Sequence, residues 1–151
     1  HRKPYCEKLL IVREGQNNPL HHHNSKIEDI INRGGGILQV QVYKSTEKHE
    51  KSSESFEISM DGVKYEVQPG DVLELCPGES VTLTQEHFHK FWAKKGYEAV
   101  LIGEVSTVND DYSDNVFYDE ISRFCNIIED EEPLHLLYND YKTYVDLNKK
   151  K

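Results

Sequence analysis

The sequence contains few cysteines, and their arrangement excludes two kinds of site. Cys6, Cys76 and Cys125 form an odd, widely spaced set, and no CxxC pair is present. Such a set does not support a disulfide framework or a cysteine-based zinc site. We expect these residues to be buried free thiols in a reducing compartment, which predicts a cytoplasmic protein.

The sequence also lacks an excess of positive charge and any long apolar run. The formal net charge is −9, so a basic surface for nucleic acid is not expected. No apolar stretch is long enough for a transmembrane helix, so we expect no membrane partner. The first residues do not have the pattern of a signal peptide, and we expect none. The chain begins at His1 rather than Met, and we expect native residues to precede it.

Short segments with period-two apolar alternation dominate the sequence and predict about eight β-strands. The clearest is GILQVQVYK, from Gly36 to Lys44, which is rich in β-branched and aromatic residues. Turn pairs separate the later segments, at Asp61-Gly62, Pro77-Gly78 and Lys95-Gly96. Many short strands at close spacing favour an all-β barrel or sandwich in one domain, 1–151.

One segment follows a helical pattern instead. SKIEDIINR, Ser25 to Arg33, places Ile27, Ile30 and Ile31 at helical spacing after a serine that can cap a helix. It predicts a short amphipathic helix. The three glycines that follow Arg33 predict a turn into the next strand, because glycine adopts positive φ and allows close backbone approach.

Three consecutive histidines precede this segment, and they predict a metal site. On a strand alternate side chains share a face, so His21 and His23 point one way and His22 the other. Glu28 follows closely enough to fold back onto the same site. Two imidazoles and a carboxylate suit Mn²⁺, Fe²⁺, Zn²⁺, Co²⁺ or Ni²⁺. A histidine-rich surface loop is the alternative interpretation.

The spacing around these residues resembles the first motif of the cupin superfamily. Gly15, His21, His23, Glu28 and Gly35 fit G-x5-H-x-H-x4-E-x6-G. This resemblance implies a fourth ligand, a histidine on a later strand that follows the Pro69-Gly70-Asp71 turn.

Two histidines are candidates for that fourth ligand, because the usual P-x-G-x2-H pattern is broken here. It would place proline and glycine at Thr84 and Glu86. His89 occupies the histidine position of the pattern, so it is favoured as the ligand. His87 lies on the same face of the predicted strand and is the alternative, or a contributor to the pocket.

A longer match resembles the D-lyxose isomerase family. HHHNSKIEDIINRGGG contains the run H-x-H-x-x-K-x-E-D-I-I-N-R-G-G-G, HKFW is similar to the H-S-F-W of this family, and GEVS followed by VNDD is a further match. The resemblance implies a single cupin domain, an antiparallel β-barrel (jelly roll) with a few short helices. It also implies a homodimer and a divalent metal cofactor, with Mn²⁺ as the first candidate ion.

The family resemblance further implies an aldose-ketose isomerase. The expected reaction interconverts D-lyxose and D-xylulose through a cis-enediol, with D-mannose and D-fructose as a second pair of substrates. The metal would be held by His21, His23, Glu28 and His89. It would stabilise the negative charge that develops on the sugar oxygens.

A base must also move a proton between C1 and C2 of the sugar. Glu104 is the first candidate, because it interrupts the apolar segment AVLIG-E. Lys8 interrupts the first strand and is a candidate for polarising a substrate oxygen. Glu120 and Arg123 are weaker candidates. The alternative for Glu104 is a solvent-facing glutamate at the end of a strand. The alternative for Lys8 is a surface lysine whose ammonium extends into solvent.

Two other classes of function remain open from the sequence. One is another metal cupin enzyme, such as a phosphosugar isomerase or an iron(II) dioxygenase. For the phosphosugar enzyme, the available basic residues are Lys8, Lys26, Arg33 and Arg123. The other class is a non-catalytic sugar-binding cupin, against which the full set of candidate ligands argues.

Overall fold

The computed structural model describes residues 3–110, 112–121, 128, 130–136 and 140–145. Nearly all of its regular structure is β-strand. The strands are β1 (Tyr5–Val12), β2 (His21–His23), β3 (Glu28–Gly35), β4 (Leu38–Lys44), β5 (Phe56–Met60), β6 (Val63–Val67), β7 (Val72–Leu75), β8 (Ser80–Leu83), β9 (His87–Ala93), β10 (Val100–Thr107) and β11 (Asn115–Phe117). A short helix, α1, spans Tyr141–Tyr144.

The strands form two antiparallel sheets. One has six strands in the order β1-β10-β3-β8-β5-β6, and the other has five in the order β11-β2-β9-β4-β7. Strands that are distant in sequence are neighbours in both sheets, so the chain crosses repeatedly from one sheet to the other. This architecture confirms the predicted all-β, cupin-type antiparallel barrel.

The apolar core lies on the inner faces of the sheets. On β4 the alternate residues Leu38, Val40 and Val42 are fully buried, as the period-two pattern predicts. The register of β4 with β9 places Val42 opposite His89. His89 therefore projects into the interior of the barrel beside the apolar core.

The predicted helix over Ser25–Arg33 is wrong, because most of this segment is strand β3. β3 pairs with β10 on one side and β8 on the other. Its buried face carries Glu28, Ile30 and Asn32, so two polar residues occupy inward positions and conceal the period-two pattern. A nine-residue segment is also too short to hold a helix without strong tertiary support.

The predicted turns between strands are confirmed. Asp61 and Gly62 both adopt positive φ, 49° and 80°, as the two-residue hairpin turn between β5 and β6 requires. The glycine run leads from β3 into β4, and Gly35 has φ of 89°. A Cβ atom at Gly35 would collide with the carbonyl oxygen of Ala99, so the close backbone approach there requires glycine.

The cysteines differ from their predicted burial. Cys76 is exposed and Cys6 is half-buried, with its sulfur 3.1 Å from Ser106 Oγ. The expectation of a buried thiol is therefore wrong for Cys76, which lies in the tight turn after β7. Cys125 lies outside the described residues. In the described part of the chain, no helix is both long enough and apolar enough to cross a membrane.

Candidate metal centre

Four side chains from three strands converge inside the barrel. His21 and His23 lie on β2, His89 lies on the neighbouring β9, and Glu28 begins β3 in the opposite sheet. The residue pair His21 and His89 is in direct register. One ligand atom from each of the four residues lies within 4.8 Å of all the others. The two sheets thus bring the four predicted ligands to one point.

Backbone carbonyls fix the orientation of two of the three imidazole rings. His21 Nδ1 lies 2.9 Å from the carbonyl oxygen of Pro19, and His89 Nδ1 lies 3.0 Å from that of His87. A carbonyl oxygen only accepts hydrogen bonds, so each neutral ring carries its proton on Nδ1 and a lone pair on Nε2. The Nε2 atoms are therefore the available metal-binding atoms of both rings.

The ligand atoms lack hydrogen-bond partners. Glu28 Oε1 lies 2.9 Å from His89 Nε2 and 3.3 Å from His23 Nε2. Among the described residues none forms a hydrogen bond with any of these three buried atoms. Buried polar atoms without partners are costly and rare. Lone pairs that converge on one another in this way fit a cation, and three imidazoles with one carboxylate suit a divalent transition metal.

The surroundings hold two of these ligands in their deprotonated forms. Burial, assisted by His89 and His23, lowers the pKa of His21 to about 2. Burial acts to raise the pKa of Glu28, but His89, His23 and the Lys26 ammonium outweigh it and hold that pKa well below its ordinary value. Neutral imidazole and ionised carboxylate are the forms that bind metal.

A buried lysine joins the ligand group to the predicted base. The Lys26 side chain is 4% exposed, and its Nζ lies 2.5 Å from Glu28 Oε2 and 2.9 Å from Glu104 Oε1. Burial alone would lower the pKa of Lys26, but these two carboxylates outweigh burial and raise it. Lys26 is therefore an ammonium that bridges the two acids.

Glu104 lies in the middle of β10 with its side chain directed inward. Its Oε1 also lies 3.1 Å from Lys8 Nζ and accepts from Ser106 Oγ at 3.4 Å. Within the described part of the chain, all polar contacts of this carboxylate are made by Oε1. The second oxygen, Oε2, is thus without a hydrogen-bond partner among the described residues.

The ionisable groups around the ligands leave an excess of formal negative charge. Three buried acids, Glu28, Glu104 and Asp114, face the buried Lys26 and the half-buried Lys8, whose Nζ lies 3.1 Å from Glu104 Oε1, so the formal sum is −1. A bound divalent cation would compensate this charge. Buried charge without compensation is strongly unfavourable, so this balance is a second observation in favour of a metal.

A cavity of about 140 Å³ opens beside the ligand cluster. It combines polar groups with two aromatic rings, as small-molecule sites do. Its lining residues are Lys8, Leu10, Asn18, Pro19, His21, Lys26, Glu28, His89, Phe91, Glu104, Asn115 and Phe117. The cavity therefore contacts three of the predicted ligands and both predicted catalytic residues, Glu104 and Lys8.

Comparison with known families agrees with this geometry. A family model described as D-lyxose isomerase matches residues 1–141. The chain belongs to the D-lyxose isomerase family. It is 43% identical over 143 residues to the D-lyxose/D-mannose isomerase of Serratia proteamaculans, and 41% identical over 143 residues to that of Escherichia coli O157:H7. The matches cover 95% and 94% of this chain.

The chain spans 63% of the length of each of these curated relatives. Among solved structures, it is similar to L-ribose isomerase from Cellulomonas parahominis, with a TM-score of 0.58, 23% identity, and coverage of 77% of this chain and 58% of that one. L-ribose isomerase from Acinetobacter sp. DL28 in complex with L-ribose gives a TM-score of 0.55 and 20% identity. That match covers 77% of this chain and 59% of the isomerase chain. These likenesses concern the fold.

Two histidines near the ligands of this D-lyxose isomerase family member face other groups. His22 Nδ1 lies 3.0 Å from the carbonyl oxygen of Gln85, and its Nε2 lies 2.9 Å from His49 Nδ1. His87 Nδ1 accepts from the backbone N–H of Thr84 at 3.1 Å. Neither belongs to the four-residue ligand group.

The weaker sequence candidates lie away from the cavity or outside the described residues. Glu120 is exposed and does not line the cavity. Arg123 lies outside the described residues. Of the two aromatic residues after His89, Phe91 lines the cavity, whereas Trp92 faces outward and donates from Nε1 to Gln39 Oε1 at 2.7 Å.

Sequence reasoning missed several residues that complete the site. Asp114 lies 3.2 Å from His23 Nδ1, and no local spacing relates these two residues. Asn18 accepts from the backbone N–H of Phe91 at 2.6 Å and lines the cavity. Lys26 appeared in the sequence only as one of several basic residues. The run that resembles the D-lyxose isomerase family, which contains Lys26, was the one signal available for its position.

Proposed function

We propose that this chain is a metal-dependent aldose-ketose isomerase that interconverts D-lyxose and D-xylulose, and D-mannose and D-fructose. Family membership and the names of the curated relatives support the sugar and reaction class. The single observation that carries the proposal is the convergence of four candidate ligand atoms beside a buried carboxylate in a small polar cavity. Three of the four have no hydrogen-bond partner among the described residues.

The proposed metal ligands are His21, His23, Glu28 and His89, and the proposed ion is Mn²⁺, with Co²⁺, Fe²⁺, Zn²⁺ and Ni²⁺ as alternatives. The three nitrogens and one oxygen of this set leave about two positions of an octahedral shell open. When bound, the metal would supply Lewis-acid stabilisation of the negative charge that develops on the two reacting sugar oxygens.

Glu104 is the proposed base. Its Oε2 would take the proton from C2 of the aldose, and the same carboxyl group would return that proton to C1 of the cis-enediol. A second proton moves from the C2 oxygen to the C1 oxygen, so the sugar is isomerised without any oxidant or reductant. Lys26 and Lys8 contact Oε1 only, so neither ammonium competes with the sugar for Oε2.

Lys8 and two aromatic rings are proposed to position the sugar. Lys8 lines the cavity and is half-buried, so its ammonium can donate to a substrate oxygen while it remains beside Glu104. Phe91 and Phe117 border the same cavity, where their rings offer apolar surface to the C–H faces of a sugar. These groups together would limit access of water to the enediol.

The alternative functions have less support from the structure. A phosphosugar would need basic residues around the cavity, yet Lys8 and Lys26 already contact Glu104. Arg33 pairs with Glu7 at 3.2 Å, where both side chains are more than 40% exposed. The cavity therefore fits a neutral sugar better than a phosphorylated one.

A substrate panel tests the proposal directly. The protein is stripped of metal, reloaded with Mn²⁺ and incubated with free and phosphorylated pentoses and hexoses, and the ketose is measured. We expect D-xylulose from D-lyxose and D-fructose from D-mannose, each abolished by a chelator. Turnover of phosphosugars alone, oxygen consumption with Fe²⁺, or sugar binding without conversion would each assign the chain to one of the rival functions.

The proposal includes the cytoplasm as location and a homodimer as assembly. The described cysteines form no disulfide, which is consistent with a reducing compartment. The homodimer rests on the family resemblance. Light scattering coupled to size-exclusion chromatography would measure the mass of the assembly directly.

A further inference from the structure

Asp114 is a buried carboxylate that the proposed reaction does not use. It is 4% exposed and precedes β11. Its Oδ2 lies 3.2 Å from His23 Nδ1. This is an ion-pair distance, but the ring nitrogen is not aligned for a hydrogen bond. The carboxylate therefore acts on the ring chiefly through its charge.

Among the described residues, the other partners of the Asp114 carboxylate all donate hydrogen bonds to it. The backbone N–H and hydroxyl of Ser25 donate to Oδ1 at 2.7 and 2.6 Å. Asn109 Nδ2 donates to Oδ2 at 3.1 Å. Each carboxylate oxygen thus faces at least one donor. An ionised carboxylate accepts hydrogen bonds at both oxygens, so the ionised form of Asp114 satisfies all of these donors.

Asp114 favours the tautomer of His23 that a metal ligand needs. A lone pair on Nδ1 would face the negative Oδ2 atom and be repelled, whereas an N–H dipole is attracted. Glu28 Oε1 faces Nε2 in the same way at 3.3 Å, so a cation between Nε2 and Glu28 would take the Nε2 lone pair while the proton stays on Nδ1, towards Asp114. His21 and His89 receive the same tautomer from backbone carbonyls. Only His23 receives it from a side chain.

We propose that Asp114 is a positioning residue that fixes the His23 tautomer and thereby sets the metal affinity of the site. This inference rests on the proposed metal site. Asp114 also anchors the turn before Lys26, because Ser25 is bound to it through both backbone and side chain. One carboxylate thus aligns a metal ligand and the segment that leads to the bridging lysine.

Asp114→Asn tests the proposal, and the chain offers a matched control. The asparagine amide has nearly the same shape as the carboxylate but no negative charge. Its NH₂ group must face either the Ser25 donors or Asn109 and His23, so the tautomer of His23 is no longer imposed. Asp61 makes an equivalent pair with Ser80, whose backbone N–H and hydroxyl both donate to Oδ1 at 2.9 Å, in the β5–β6 turn. Asp61→Asn therefore removes a similar carboxylate outside the proposed site.

The first measurement is calorimetric titration of the metal-stripped proteins with Mn²⁺. We expect Asp114→Asn to weaken binding by about 10–100-fold, as loss of a partner of a metal-bound histidine typically does. Asp61→Asn should bind as the unaltered protein does. Equal Mn²⁺ affinity in the unaltered protein and Asp114→Asn would overturn the proposal, and so would an absence of Mn²⁺ binding by the unaltered protein.

The second measurement remains informative even if Asp114→Asn fails to fold. Nitrogen-15 NMR of the unaltered protein loaded with Zn²⁺, a diamagnetic ion, reports which ring nitrogen of His23 is protonated. We expect the proton on Nδ1. A proton on Nε2 would overturn the proposal. Neither measurement uses sugar turnover, so an inactive protein that binds Mn²⁺ would contradict the isomerase function and leave the role of Asp114 standing.

Discussion

Glu28 Oε1 lies 2.9 Å from His89 Nε2, and within the described residues neither atom forms a hydrogen bond. The pair joins β3 of the six-stranded sheet to β9 of the five-stranded sheet. Two acceptors held this close in the interior need a proton or a cation between them. His89 Nδ1 lies 3.0 Å from a carbonyl oxygen, so the proton of the neutral ring is on Nδ1 and Nε2 carries a lone pair. A metal therefore satisfies both His89 Nε2 and Glu28 Oε1 without displacing the ring.

The first prediction separates the two histidines of β9. His89→Ala should lose metal and activity together, because it removes a ligand atom. His87→Ala should retain stoichiometric metal, because His87 Nδ1 faces the Thr84 backbone N–H. Metal content after dialysis, measured by mass spectrometry, checks both. Loss of metal on the His87 change would show that the ligand assignment is wrong.

The second prediction concerns the middle histidine of the triplet. His22 faces Gln85 and His49 rather than the ligand cluster. His22→Gln should therefore leave the metal content unchanged. It should lower the free energy of unfolding by about 1 kcal/mol, because one buried hydrogen bond is replaced imperfectly. Chemical denaturation and metal analysis of the same sample measure both quantities. A stoichiometric loss of metal would contradict the orientation of β2.

The third prediction concerns the bridge made by Lys26. Lys26→Met removes the only ammonium shown between Glu28 and Glu104 in the described structure and leaves two buried carboxylates close together. The free energy of unfolding of the metal-free protein should fall by about 3–5 kcal/mol, which is typical when one partner of a buried ion pair is removed.

Lys64→Met provides the matched control for this change. Lys64 pairs with Glu57 at 2.6 Å, but the two side chains are 72% and 60% exposed, so solvent screens the pair. We expect no measurable change in stability. Urea denaturation of both metal-free variants makes the comparison. Similar losses in the two variants would mean that burial does not strengthen the Lys26 bridge.

The fourth prediction tests Glu104 as the base. Glu104→Gln keeps the side-chain shape but removes the proton acceptor. It should retain metal and bind sugar, yet lose turnover by about 10²–10⁴-fold. Steady-state kinetics and sugar titration of the metal-loaded variant measure these effects. A mild loss of turnover would move the proton transfer to another group, with Lys8 as the next candidate.

Local patterns predicted much of the fold and the ligand set. The alternation of Gly36–Lys44 predicted β4, which spans Leu38–Lys44, and the spacing of His21, His23 and Glu28 predicted a group that the structure brings together. These features depend on neighbouring residues. Strand periodicity therefore suffices to recognise β4, whereas the full ligand set, with His89, was implied by the resemblance to the cupin motif.

Two strands and the partners of the site could not be found in this way. β3 and β11 were absent from the predicted strands, since β11 is only three residues long and β3 has polar residues on its inner face. Lys26 meets Glu104 across 78 residues and Ser25 meets Asp114 across 89. Such contacts depend on strand register and on loop paths, which no local pattern specifies.

Isomerisation of D-lyxose in deuterium oxide tests the central claim most directly. The Mn²⁺-loaded protein is incubated with D-lyxose, and NMR follows deuterium at C1 of D-xylulose and C2 of D-lyxose. The account predicts D-xylulose that carries solvent deuterium at C1, because a proton held by Glu104 between C2 and C1 exchanges with water. Formation of D-xylulose with no deuterium on carbon would contradict it, since that result requires a direct hydride shift. Absence of any ketose would contradict the isomerase function itself.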